Sequence, residues 1–293
     1  MGYDKKLVAP YQKPSVNQTQ QPNNSGWSLD QRDPQTIELF MPIWEWFYRY
    51  YFRVKTDGWH QIASHEQVLL VGSHNGGLAT PDMIMTMYDW FRHFGTKRPV
   101  YGLMHPSVWQ FNPELAQLAA KTGAIVAHPK MAFAALENKA SLLVYPGGAQ
   151  DLFRPYSQRH QINFVGRKGF IKLALRTKVP IVPVISIGAH DTLLVLGDFY
   201  PIVKQLHEWG MPWINNVDPE IFPIYLGLPW GIGIGPIPNI PLPVKIHTRV
   251  CAPIIFDKYG KEAARDRNYV DDCYNLVVQK MQQELDILVD ENS

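Results

Sequence analysis

Cysteine is scarce in this chain: Cys251 and Cys273 are the only two in 293 residues. Two thiols cannot build a disulfide framework and match no zinc-ligand spacing, so they read as buried thiols in a reducing compartment. Charge is sparse and balanced, with 28 Lys and Arg against 26 Asp and Glu for a net +2. No compact basic cluster with interleaved aromatics occurs, so nucleic acid is not an expected partner. Lys5 and Lys6 are followed by no apolar run of the kind a signal peptide requires, so the protein is expected on the cytoplasmic side. The chain also lacks an H-E-x-x-H zinc motif and a G-x-S-x-G nucleophile elbow. Its one glycine alternation, GIGIG at Gly231 to Gly235, misses the third-glycine spacing of a dinucleotide fingerprint and lies between prolines. The expectation is therefore no metal, no resident cofactor and no serine nucleophile.

Aromatic residues are plentiful, at 12% with nine tryptophans, and they are clustered. Residues 1–33 are rich in Gln, Asn, Pro and Ser, a composition that buries too little apolar area to offset ordering entropy, and predict a disordered polar tail. Residues 34–293 then form a single domain. Its first element, Thr36 to Val54, reads as a helix with Trp44, Trp46, Phe47, Tyr48, Tyr50, Tyr51 and Phe52 nearly all round it. Such a helix is either packed in the core or associated with a membrane, where Tyr and Trp favour the interface. From about residue 66, short Val/Ile/Leu runs alternate with helical periods, which predicts an α/β fold: a mainly parallel central sheet flanked by helices. Thr80 before Pro81 and Asn112 before Pro113 mark helix starts. Residues Ile221 to Val244 carry no charge, yet their Pro and Gly deny them a spanning helix. They are either buried loops and strands or an apolar wall that guides an acyl chain and touches the membrane, and the second reading is preferred.

In a parallel sheet, chemistry collects at the carboxyl ends of strands. His74 sits there, directly after the run Val68 to Val71, and is followed by Asn75, Gly76 and Gly77, whose small size admits a substrate. Asp82, eight positions on, lies at a helix N-terminus and can reach back to fix the imidazole tautomer. A second block, YPGGAQDLFRPY from Tyr145 to Tyr156, also follows an apolar strand. It places Gly147 and Gly148 in a turn, with Asp151 and Arg154 as polar groups expected at the substrate. A third, GRKGF, puts Arg167 and Lys168 at a helix start where an anion can bind.

In order and spacing, SHNGGLATPD, YPGGAQDLFRPY, GRKGFIKLAL, VPIVPV and LGLPWG resemble the glycerolipid acyltransferase superfamily, in its branch similar to monoacylglycerol and diacylglycerol acyltransferases. The resemblance covers roughly residues 50 to 256. It implies an α/β sandwich, an acyl-CoA or acyl carrier protein donor as co-substrate, and a glycerolipid or related alcohol acceptor at a membrane. The family histidine falls on His74, and its glycine block on Gly147 and Gly148. Two departures stand out: Ala79 occupies the position five after the histidine where the commoner motif has Asp, and Gly147 replaces the Glu of Pro-Glu-Gly-Thr. Both shift the expected acceptor from a phosphate ester such as lysophosphatidate toward diacylglycerol or another neutral lipid alcohol. His74 would then deprotonate the acceptor hydroxyl while backbone N–H groups hold the oxyanion. An acyl hydrolase and a catalytically silent lipid-binding protein are the rival readings.

Overall fold

The computed structural model describes residues 25–213 and 218–293. Ten strands are present among them: β1 (Lys55–Asp57), β2 (Leu69–Gly72), β3 (Val100–Met104), β4 (Ala124–Val126), β5 (Ser141–Val144), β6 (Ile181–Ile187), β7 (Leu194–Asp198), β8 (Pro223–Gly227), β9 (Gly231–Ile234) and β10 (His247–Val250). Seven make the main sheet in the order β1-β10-β6-β2-β5-β3-β4. The block from β6 to β4 is parallel throughout, and β10 joins β6 antiparallel with β1 parallel beside it. The expected α/β architecture with a mainly parallel sheet is thus observed. β2 and β5 are buried at every residue, as continuous apolar strands covered on both faces must be.

Side chains alternate between the two faces of this sheet. Leu69, Val71, Leu142 and Val144 point into a core shared with helices α3 (Pro129–Glu137), α4 (Gly169–Thr177) and α5 (Arg267–Asp290). On α5, Val270, Cys273, Val277, Met281, Leu285 and Leu288 recur every three or four residues and form the buried stripe that holds it there. Val68, Leu70 and Leu143 face the other way, toward helices α1 (Pro34–Trp46) and α2 (Pro81–Phe94). Each fully buried Leu of this kind contributes about 1.5–3 kcal/mol.

The tail boundary expected at residue 33 moves. Its part up to residue 24 lies outside the described residues, whereas residues 25–33 are laid against the sheet edge. Leu29 packs on the core, its carbonyl accepts from Tyr101 Oη at 3.0 Å, and Arg32 Nη2 donates to Thr96 O at 2.6 Å. The polar average over the whole segment masked these few anchoring side chains. Asp33 then caps α1 by accepting from Gln35 and Thr36 N–H.

The aromatic helix runs as α1 and continues as one π-helical turn, Phe47–Tyr51. Tyr48 and Phe52 are buried, but Leu39, Ile43, Trp46 and Tyr50 are exposed, so the segment is packed on one side and apolar in solvent on the other. Among the described residues no helix is long and apolar enough to cross a membrane. Within the uncharged stretch Ile221 to Val244, residues 223–234 form the β8–β9 hairpin of a second, antiparallel sheet ordered β7-β8-β9, and the chain after it runs as a loop. Tyr225 and Val195 point inward with Leu152, Phe153 and Leu193, while Leu226, Ile232 and Ile234 stand exposed on the outer face. The stretch is therefore in part the buried strand and loop of the first reading and in part the apolar outer face of the second.

Candidate active site

β2 and β5 are paired in parallel with Val71 opposite Val144, so their carboxyl ends open side by side. His74 leaves one end and Tyr145 the other. Gly72 makes this possible: a Cβ there would lie 2.3 Å from a Tyr145 ring carbon. The Tyr145 ring lies over the His74 imidazole, with centroids 4.3 Å apart and planes at 24°. Burial pushes the Tyr145 phenol well above its ordinary value, with the Asp82 charge adding to the effect, so it stays neutral.

The expected His74–Asp82 pair forms. Nδ1 of His74 lies 3.2 Å from Asp82 Oδ2, and the same oxygen accepts from the Asn75 N–H at 2.8 Å. The carboxylate sits in the first turn of α2, where the helix dipole favours negative charge. His74 keeps a small exposed area, 14% of its side chain, and its Nε2 has no hydrogen-bond partner among the described residues. Thr80 occupies the N-cap position as expected, but in a left-handed conformation (φ 44°) and with no side-chain capping bond. The turn is instead shaped by Gly76 and Gly77, both at positive φ, and Asp82 spends its carboxylate on the residues before the helix.

Asp151 and Arg154, expected to face the substrate, lie beneath the His74 loop. Asp151 is fully buried and accepts from the His74 N–H at 2.5 Å and from Ser73 Oγ. Burial raises its carboxyl to about 6 against the opposing pull of Arg154. Arg154 is 3% exposed and has its guanidinium consumed internally. Nη1 donates to the carbonyls of His74 (2.8 Å) and Asp151 and to Asp151 Oδ1 (2.7 Å), Nη2 to Asn75 Oδ1 and Arg159 O, and Nε to Gln158 O. Asn75 is likewise buried, bonded to Arg154 and to Ser73 O. These three are a brace under the histidine, in which every N–H of the Arg154 guanidinium is taken by a carbonyl, amide or carboxylate oxygen and Asp151 accepts from Ser73, His74 and Arg154.

The glycines are also explained by close packing. A Cβ on Gly147 would fall 2.3 Å from Asp151 Cβ and 2.6 Å from Asn163 O, which leaves no space for the Glu of the commoner motif. Gly148 has φ 57°, and a Cβ there would meet Arg167 Nη1 at 2.4 Å. Arg167 is exposed and lies against this turn, donating to Gly147 O at 3.2 Å and pairing with Glu220 at 3.4 Å. Lys168 turns away to Asp271.

Three contributors escaped the sequence reading. Tyr145 was visible only as a residue of its block; its place at a strand end, beside the strand that delivers His74, is the signal that could have found it. His190 supports Arg154 by bonding its carbonyl through Nε2 at 2.9 Å, and burial drives it down to about 3, hence neutral. Asn239 reaches in from the loop after β9 and bonds Gly76 O and Ala79 N. Both act through tertiary contacts that no local pattern announces.

Uncharacterized proteins of Mycobacterium tuberculosis and Mycobacterium leprae are each 27% identical to this chain over 248 residues, 84% of its length. The chain spans 64% and 63% of those relatives, respectively. Among solved structures, the 1-acyl-sn-glycerophosphate (LPA) acyltransferase PlsC from Thermotoga maritima shows a distant likeness, with TM-score 0.44 and 14% identity over 84% of this chain and 79% of that one. The sequence model of the diacylglycerol acyltransferase family matches residues 26–286, which takes in both strand-end blocks and the second sheet, and the chain belongs to that family.

Proposed function

We propose that this protein transfers a fatty acyl group from a thioester donor, acyl-CoA or acyl carrier protein, to the hydroxyl of a neutral lipid alcohol such as diacylglycerol. The observation that carries this reading is the state of His74: Nδ1 tied to Asp82, one ring face under Tyr145, and Nε2 uncommitted. Asp82 holds the tautomer in which Nε2 is the base. His74 then accepts the hydroxyl proton at Nε2 as the acceptor oxygen attacks the thioester carbonyl carbon. The imidazolium that results is stabilised by the carboxylate behind it. When the tetrahedral adduct collapses, the C–S bond breaks, and a thiol of pKa about 8.5 departs as thiolate and takes the proton back. No covalent enzyme intermediate is required.

The neutral acceptor is favoured because the groups nearest His74 that could hold an acceptor phosphate are already engaged. The N–H groups of His74 and Asn75 are given to Asp151 and Asp82, and the Arg154 guanidinium is spent beneath them. The oxyanion donors therefore come from elsewhere in the site, and Arg167, on the glycine turn, is the group placed to meet donor phosphates by leaving Glu220. Membrane association at the cytoplasmic face belongs to the same reading, since the acceptor is insoluble and the outer face of β7-β8-β9 and the exposed side of α1 and its π-helical turn present Ile232, Ile234, Trp230, Trp46 and Tyr50 to solvent.

The test is transfer from one labelled acyl-CoA to a panel of diacylglycerol, monoacylglycerol, long-chain alcohols and lysophosphatidate. Labelled ester should form with the neutral alcohols and be lost in folded His74→Ala. Full activity in that variant, or labelled free acid in place of ester, refutes the mechanism; preference for lysophosphatidate refutes the acceptor class. Sedimentation with liposomes checks the membrane, and absence of binding removes that part of the reading.

A further inference from the structure

The His74 loop holds an unfavourable backbone. Gly76, Gly77 and Thr80 adopt φ of 84°, 65° and 44° within five residues, and at Thr80 the side chain makes no compensating cap. Left-handed conformations at a β-branched residue persist only where surroundings enforce them. From below, Asp82, Asp151 and Arg154 fix residues 74 and 75, but they bond nothing from residue 76 to 79. That outer half is met from the other side by Asn239.

Asn239 Nδ2 donates to Gly76 O at 3.3 Å and its Oδ1 accepts from Ala79 N at 3.3 Å, so one amide bridges both limbs of the turn. The approach is tight: a Cβ on Gly77 would stand 2.5 Å from Leu193 Cδ2 and 2.7 Å from Asn239 Oδ1. Asn239 is itself held on a braced arm. Pro238 O accepts from the Trp230 indole at 2.7 Å, Ile240 N donates to Leu228 O at 2.8 Å, and Leu242 N donates to Thr192 O at 2.9 Å. Ala79, which bonds Asn239 through its amide, stands where the commoner motif carries its aspartate.

We infer that Asn239 is a positioning residue for the His74 loop: its amide clamps the Gly76–Ala79 turn from the loop after β9 and sets the orientation in which His74 meets the acceptor. The inference rests on the acyl-transfer reading for its kinetic part alone; the clamp is a structural statement that can be measured separately. Asn239 touches no reacting atom and acts through the loop.

Hydrogen exchange and steady-state transfer to diacylglycerol are measured on wild type, Asn239→Ala, Asn239→Asp and Gly77→Ala. Exchange of the Ala79 amide should rise about tenfold or more in Asn239→Ala and in Gly77→Ala, whose Cβ crowds both Asn239 and Leu193. Asn239→Asp keeps the acceptor for Ala79 and loses the donor for Gly76, so it should fall between. With the global melting temperature little changed, kcat should fall about tenfold or more in Asn239→Ala while KM for the acyl donor holds, since a misplaced reactive group costs turnover first. Unchanged Ala79 exchange in Asn239→Ala overturns the clamp, and raised exchange with full kcat overturns the positioning role. If wild type transfers no acyl group to any acceptor, the functional reading fails, and the exchange data still decide the clamp.

Discussion

Arg154 separates two roles that the same residue could have had. A surface guanidinium beside a glycine turn binds an anionic substrate, and lysine would serve nearly as well there. A buried guanidinium that feeds carbonyls and a carboxylate along several directions cannot be replaced, because an ammonium has only three donors and no planar fork. Arg154 makes six contacts, to His74 O, Asp151 O, Asp151 Oδ1, Asn75 Oδ1, Arg159 O and Gln158 O. Arg154→Lys preserves the charge opposite Asp151, so the large penalty of an uncompensated buried carboxylate is avoided. It still strands about three acceptors, each costing about 1–1.5 kcal/mol, for a loss of roughly 3–4 kcal/mol. For a domain of this size the melting temperature should drop by roughly 10 °C. Arg154→Met also removes the counter-charge and should cost more, about 3–5 kcal/mol for that alone. Differential scanning calorimetry on both variants, with donor KM beside it, decides the matter. A melting temperature for Arg154→Lys within about 2 °C of wild type, together with a raised donor KM, would refute the brace and restore the substrate-binding role.

Asp82→Asn should leave the fold intact and lower kcat by about 10²–10⁴, since the amide no longer selects the Nε2-basic tautomer or stabilises the imidazolium; stopped-flow or steady-state transfer assays measure it. Gly72→Ala should displace the Tyr145 ring from His74 and cost about 1–3 kcal/mol by overpacking, read by urea titration with activity alongside. Asp151 has a folded value near 6, above its ordinary carboxylate value. Its contribution to stability is therefore present below about pH 4 and lost as pH rises through 6. Asp151→Asn should flatten this, gaining relative to wild type by about 1–3 kcal/mol between pH 4.5 and 7.5 in paired denaturant titrations, and an equal offset at both pH values would contradict it.

What could be read from the chain alone follows from which interactions are local. β2 and β5 announced themselves because strands buried on both faces must be apolar at every position, and Asn112 caps its helix as its residue type requires, accepting from Glu114 and Leu115 N–H. The His74–Asp82 pair was legible because both residues belong to one strand-to-helix connection. Burial was not legible: Asp151 and Arg154 look identical in sequence whether they face solvent or a carbonyl cluster. The β7-β8-β9 sheet was hidden for a different reason. Its Pro and Gly content mimics loop, and its outer face keeps aliphatic residues where a soluble sheet would alternate with polar ones, so no period-2 signal survived.

The π-helical turn at Phe47–Tyr51 gives the amino-terminal helix an unusual tolerance of length at one place. A widened turn carries one residue more than an α-turn over nearly the same arc. Removing a single residue from the turn would let it close to an α-turn and leave α1 at nearly its present azimuth. Ile37, fully buried, would stay in the core. A one-residue deletion inside α1 has no such reserve: it would turn every residue before it by about 100° and carry Ile37 out of the core.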